Sequence, residues 1–305
     1  MPKDVLSATN MFIDSFIGYL KSERGYSPHT LTAYKNDLQS FDAYLRGVDV
    51  ALSLSMVDSD VVRGWAASLM DKGESTTSVN RRLSSLHTFF TFMRSEGYVS
   101  VNPVDGINRP KCRKVLPSFL KETEIDAVVD GLESSVGFEM LRNKTVLLCF
   151  YSTGIRLAEL VGLDMSSVDM AGCTLKVKGK RNRERVIPFA QELHSLFEEY
   201  IEERAKVALP DESAFFVSSR GTRISRSTVY RMVNSALRRE SSLNKCSPHV
   251  LRHTFATAML NNNAELGAVK ELLGHRRLAT TEVYTHLTFE ELIHFYKKAH
   301  PRAGN

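Results

Sequence analysis

The sequence predicts a mainly α protein of two domains: a helical domain over residues 1–107 and a mixed α/β domain with a small β-hairpin over residues 119–305, joined by a basic linker at 108–118. Three observations predict this. The chain has 305 residues, more than one ordinary domain needs, and 43% of them are hydrophobic, enough for two cores. Its apolar residues recur almost throughout at the three-and-four spacing of a helix face. One short region alternates instead, around a polar turn.

The elements follow in order. Phe12, Phe16, Ile17 and Leu20 share one helical face. Ser27-Pro28 opens a second helix, since proline is tolerated at the first helical position, and Leu31, Tyr34, Leu38, Phe41 and Leu45 form its stripe. Val61, Trp65 and Leu69 mark a third helix. A fourth runs from Ser75 to Met93 with Val79, Leu83, Leu86, Phe90 and Met93 inward. These four make a small bundle. Residues 102–118 then carry Pro103, Gly106, Pro110 and Pro117, which break regular structure, and Arg109, Lys111, Arg113 and Lys114 with no acid after Asp105. In the second domain, helices are expected over 121–132, 144–151, 156–163, 193–208, 227–238, 248–261, 266–273 and 289–298. Strands are expected at 173–177 and 185–188. Phe289, Leu292, Ile293 and Tyr296 give the last helix an apolar face, which packs on its own domain or docks in a neighbouring protomer.

Composition narrows the function. No apolar run approaches the roughly 20 residues of a membrane span, and the N-terminus lacks a signal-peptide core. Cys112, Cys149, Cys173 and Cys246 are scattered without a CxxC pair, as expected of reduced, mostly buried thiols in a cytoplasmic protein. The net charge of +5 is uneven: residues 1–107 carry 10 Lys and Arg against 12 Asp and Glu, whereas 108–305 carry 30 against 23. A polyanion has more to hold in the second domain.

Four motifs there carry chemistry. In STGIRLAEL, Arg156 and Glu159 lie three apart, away from Leu157, Leu160 and Val161, so Glu159 can orient the Arg156 guanidinium from behind. In the hairpin LKVKGKRNRERVIP, Lys176, Lys178, Lys180, Arg181, Arg183 and Arg185 face one acid, Glu184. A basic hairpin can enter a nucleic-acid groove. Lys178 is a DNA-contact candidate, and Lys180 at the tip is the candidate proton donor to a leaving oxygen. In SPHVLRHTFATAML, Ser247 and Pro248 suit a helix start. They put His249 and Arg252 on one face near a helix N-terminus, which favours phosphate. His253 is expected to pack or to support its neighbours. In ELLGHRRLATTEVYTHL, Gly274 caps a helix, His275 follows it, and Tyr284 comes nine residues later. Arginines can clamp a phosphate as it gains charge, Lys180 and the histidines can move protons, and Tyr284 can be a nucleophile. HxxR is not the HExxH zinc pattern, and no carboxylate cluster offers a magnesium site. Neither metal nor other cofactor is therefore expected.

On these residues the chain resembles the tyrosine recombinases, and among them the Xer type. TGIRLAEL, HVLRHTFAT, LGHRRLATTEVYTH and the terminal AHPRA carry the resemblance, with SPHTLTAYKNDLQSF in the first domain, so it runs essentially end to end. It implies a SAM-like core-binding domain followed by a catalytic domain. Arg156, Lys180, His249, Arg252 and His275 become the activating residues and Tyr284 the nucleophile, forming a 3′-phosphotyrosine without ATP or metal. It also implies a double-stranded DNA recombination site as substrate, and a homo- or hetero-tetramer with a paralogous recombinase that resolves chromosome dimers. A cell-division DNA translocase is a further implied partner. Asn80, Arg81 and Arg82, on the fourth helix away from its apolar stripe, become groove-facing candidates. Arg181 and the pair Arg276-Arg277 depart from the usual pattern. Three readings stay open beside this one: an integrase or invertase of a mobile element, a relaxing topoisomerase and an inactive DNA-binding regulator.

Overall fold

A computed structural model describes residues 2–48, 53–112, 119–134, 137–179, 184–241, 243, 246–274 and 288–303. The chain divides into two compact units, Met1–Val115 and Leu116–Asn305.

The first unit is built on α1 (Pro2–Ser22), α2 (Pro28–Val48), α3 (Ser59–Asp71) and α4 (Thr76–Ser95), with a 3₁₀ turn at Leu54–Met56. Asp58 caps α3 by accepting from the backbone of Asp60 and Val61, each at 2.9 Å, and Ser75 caps α4 by accepting from Ser78. Phe16, Leu38, Phe41, Trp65, Leu83, Phe89 and Phe90 are all buried in one core. Phe41 meets Trp65 edge to face at 5.0 Å, and Phe16 meets Phe89 likewise at 5.4 Å. In α3 it is Val62, not Val61, that is fully buried. The start of the basic linker belongs to this unit. Asn80 donates to the Pro110 carbonyl at 2.8 Å and Arg109 to Ser84 Oγ at 2.7 Å.

The second unit contains α5 (Glu122–Asp130), α6 (Phe138–Thr153), α7 (Leu157–Val161), α8 (Gln191–Val207), α9 (Arg226–Glu240), α10 (Pro248–Asn261), α11 (Leu266–Leu273) and α12 (Phe289–Ala299). Its sheet has three antiparallel strands, β1 (Val168–Asp169), β2 (Thr174–Lys178) and β3 (Glu184–Pro188), in that order. The pairs Leu175↔Ile187 and Val177↔Arg185 set the β2–β3 register. β1 is two residues long, too short to show alternation. α6 begins at Phe138, ahead of the expected start at 144. Its first turns are polar to the eye, but Arg142 is buried with its guanidinium over the Phe138 ring at 5.7 Å.

The larger core of this unit joins α5, α6, the sheet, α8 and α9. A second core joins Phe255 and Met259 of α10, Ala268, Val269, Leu272 and Leu273 of α11, and Leu292, Tyr296 and Ala299 of α12. Leu292 and Tyr296 of the α12 face thus pack within its own unit. The AHPRA tail fastens it there. His300 is buried, accepts from Arg302 N at Nδ1 (3.2 Å) and donates from Nε2 to the Tyr151 carbonyl (3.3 Å), which fixes the neutral ring. Its ring stacks on Tyr296 at 5.2 Å. Arg302 pairs with Asp126 and with Glu192. Among the cysteines, Cys149 and Cys246 are buried, Cys173 is half-buried and Cys112 is exposed. Among the described residues, no helix is long and apolar enough to cross a membrane.

Candidate active site

Three arginines meet at the C-terminal end of α11. Each donates to one of three consecutive carbonyls: Arg185 Nε to Leu272 (3.0 Å), Arg252 Nη2 to Leu273, and Arg156 Nη2 to Gly274 (3.0 Å). The last carbonyls of a helix have no partner inside it and form its negative end. They are well suited to hold cations together. Gly274 terminates α11 in the left-handed region at φ 62°, which favours glycine.

Among the described residues, Glu159 is the one carboxylate paired with these arginines. It is buried, and it accepts a two-pronged contact from Arg185, Nη1 to Oε1 at 2.7 Å and Nη2 to Oε2 at 2.9 Å. Arg156 donates to the same carboxylate from Nη1 (2.8 Å) and from its backbone N–H (2.9 Å). The backbone bond is possible because Arg156 is the N-cap of α7 and Glu159 its third residue, a capping-box arrangement. Burial alone would raise the Glu159 pKa. The bonds and charges of Arg185 and Arg156 outweigh it and hold the carboxyl below its usual range. Three guanidinium groups around one carboxylate leave a local excess of positive charge, the signature of an anion site.

Arg252 is 7% exposed. Its Nη1 donates to the Gly154 carbonyl. Gly154 has φ 59°, and a Cβ there would lie 2.6 Å from Phe255 and 2.8 Å from Leu273, so only glycine fits. Burial first, then the charges of Arg156 and Arg185, lower the Arg252 pKa to about 10. It remains charged at neutral pH. His249 lies one turn before Arg252 on α10, with its side chain open to solvent. Desolvation by its surroundings and the charges of Arg252, His253 and Arg156 all push its pKa below 6.5, so at neutral pH the ring can accept a proton. Ser247 is the N-cap of α10, but its side chain makes no capping bond; Pro248 occupies the first turn as expected. His253 is exposed and not packed.

Lys180, His275 and Tyr284 lie outside the described residues. Lys178 is exposed at the end of β2, opposite Glu184 in register. In the first unit, Arg81 forks onto the buried Asp37, which also accepts from Ser85 Oγ at 2.7 Å. Arg82 forks onto Glu74 at 2.8 and 2.9 Å. Both arginines are held by carboxylates beside an open depression lined by Asn36, Asp37 and Ser40. Asn80 faces the linker through its bond to Pro110. Among the described residues, no group of three or more His, Cys, Asp or Glu side chains comes together as a metal site.

Arg185 is the residue the motif reading missed. It sits among hairpin cations whose spacing does not set it apart. The available signal is alternation: in β3, Arg185 and Ile187 fall on one side and Glu184 and Val186 on the other, exposed side. That puts a charged residue on the core-facing side of the strand.

The fold is that of the tyrosine recombinases. The XerH site-specific recombinase bound to a palindromic difH substrate superposes with a TM-score of 0.72 over 89% of this chain and 80% of that one, at 22% identity. A lambda integrase dimer bound to a COC′ core site gives 0.68 over 90% and 99%, at 22% identity. Residues 118–291 match the phage integrase family and residues 13–97 its N-terminal SAM-like domain. The tyrosine recombinase XerC of Thermodesulfovibrio yellowstonii is 37% identical over 97% of this chain and 98% of its own, and that of Oceanobacillus iheyensis is 36% identical over 98% and 99%. The chain belongs to the phage integrase family and is a site-specific tyrosine recombinase.

Proposed function

We propose that the arginine cluster binds the scissile phosphate of a specific double-stranded DNA site, and that Tyr284 cuts there to leave a 3′-phosphotyrosine. The observation that carries this reading is the convergence of Arg156, Arg185 and Arg252 on the end of α11, two of them sharing Glu159, in the chain segment immediately before His275 and Tyr284. Arg156 and Arg252 stabilise the non-bridging oxygens as negative charge builds on them. The partly exposed Arg156 and the exposed His249 mark the side from which a phosphate approaches. His249, neutral and beside the arginines, takes the phenolic proton as the Tyr284 oxygen bonds to phosphorus. Lys180 protonates the departing 5′ oxygen, and His275 supports the phosphate. A 5′ hydroxyl from a partner duplex reverses the step. The covalent intermediate conserves the bond, so neither hydrolysis nor an external energy source is required.

The wider reading is a homo- or hetero-tetramer holding two duplexes in the cytoplasm, exchanging strands in pairs and resolving chromosome dimers. Lys178 and the Arg81–Arg82 face contribute DNA contacts, the latter by exchanging carboxylate partners for phosphates. The test is covalent capture. The protein is mixed with fragmented chromosomal DNA of its host, stopped with detergent, and the protein-linked fragments are sequenced. Enrichment of one chromosomal locus is the expected result. Enrichment of the two ends of a mobile element would favour an integrase. Absence of any linked DNA would reject cleavage by Tyr284 at the arginine cluster.

A further inference from the structure

We infer that Arg185 is a positioning residue of strand cleavage, one that acts through Glu159 and the end of α11 and does not touch DNA. The inference rests on the arginine cluster being the phosphate site. Each of the three guanidinium nitrogens of Arg185 already donates to protein. Nε is spent on the Leu272 carbonyl, and Nη1 and Nη2 on the two Glu159 oxygens. Its side chain is 15% exposed, against 33% for Arg156. Among the described residues, Arg156 and Arg252 make their side-chain bonds through Nη1 and Nη2, whereas Arg185 commits Nε as well and is the one of the three forked onto both Glu159 oxygens.

What Arg185 joins is specific. One end of its fork sets Glu159, whose carboxylate also holds the Arg156 side chain and backbone. Its Nε holds the carbonyl next to the one that receives Arg252. Its stem reaches the α11 cap, since a Cβ at Gly274 would lie 3.4 Å from Arg185 Cδ. β3, α7 and α11 are thereby tied at one point, and both proposed phosphate-binding arginines are referenced to it. Lysine in its place keeps the charge but cannot make a planar fork and a third bond together. A shift of about an ångström in Arg156 or in the end of α11 is enough to slow a positioned reaction by about 100-fold.

The experiment uses the full chain with Arg185→Lys, Glu159→Gln and the double substitution. Three readouts are taken: the single-turnover rate of adduct formation on a nicked duplex carrying the captured site, the affinity and its salt dependence on that duplex, and hydrogen exchange of residues 266–274 in the free protein. Arg185→Lys is expected to slow adduct formation roughly 10- to 100-fold, with affinity within about threefold and an unchanged salt slope. Exchange in α11 should quicken. The double variant should be no slower than the slower single one, because both changes break one route. Wild-type rate with wild-type exchange would overturn the inference. So would a fall in affinity with a shallower salt slope, which would make Arg185 a phosphate contact. If the wild-type protein forms no adduct, the assignment of the arginine cluster as the cleavage site has failed separately. The exchange arm then decides alone: faster exchange in 266–274 supports the tie and unchanged exchange overturns it.

Discussion

Arg252 donates from Nη1 to the carbonyl of Gly154, 98 positions earlier in the chain. The bond joins the α6 terminus to the face of α10, and with the Leu273 contact it holds one guanidinium between two helix ends. Gly154 therefore has two roles. It turns the chain from α6 toward Arg156 at positive φ, and it presents a carbonyl to Arg252.

Replacing Gly154 tests that geometry. Gly154→Ala should destabilise the protein by about 2–4 kcal/mol, through left-handed backbone strain and overlap with Phe255 and Leu273. Adduct formation should fall further than stability accounts for, because the Arg252 acceptor moves. Thermal melting and single-turnover cleavage, measured together, check this.

Arg252→Lys should leave DNA binding largely intact and reduce cleavage roughly 100- to 1,000-fold, the scale of one lost contact to a developing oxyanion. Near-normal single-turnover cleavage would remove Arg252 from the phosphate.

These two residues also show what was legible in the sequence. The helices were visible because their stripes, such as Val79, Leu83, Leu86 and Phe90, bury at helical spacing. Arg156, Glu159, His249 and Arg252 stood out because their motifs place them on helix starts. Arg185 did not, since its partners are a carboxylate 26 positions earlier and a backbone carbonyl 87 positions later. A carbonyl has no sequence identity, so the three acceptors at the end of α11 could not be read in advance. The fastening of His300 to Tyr151 was hidden for the same reason.

The pH dependence of cleavage should follow His249. Its ordinary value of 6.5 is lowered in the folded protein by desolvation, Arg252, His253 and Arg156. In the free enzyme the ring is neutral above that range, and protonation on acidification removes the base. The apparent second-order rate of adduct formation should therefore fall on acidification, with a midpoint below pH 6.5. His249→Gln should lose that acid limb and be slower throughout, about 100-fold or more for a lost general base. An unchanged acid limb in the variant would assign it to another group.

The C-terminal tail should contribute stability to its own domain. His300 is neutral and buried, its pKa lowered to about 4 by burial, against 6.5 in the unfolded chain. A base depressed in this way contributes stability above pH 6.5, which is lost as pH falls toward 4. His300→Gln should flatten the fall in melting temperature over that window. Arg302→Ala should cost about 1–2 kcal/mol, modest because Asp126 and Glu192 are half exposed. Deleting 288–305 should destabilise the second domain severely by opening the core around Phe255 and Leu272. A deletion variant with wild-type melting would show that α12 is not needed by its own domain.

The most direct test of the account is the nucleophile. Tyr284→Phe removes one oxygen and leaves the arginine cluster in place. The variant should bind the captured site with near wild-type affinity and form no detergent-resistant adduct on a nicked duplex, while the wild-type protein accumulates one. A covalent adduct formed by the Phe variant would contradict the account and place the attacking oxygen on another residue.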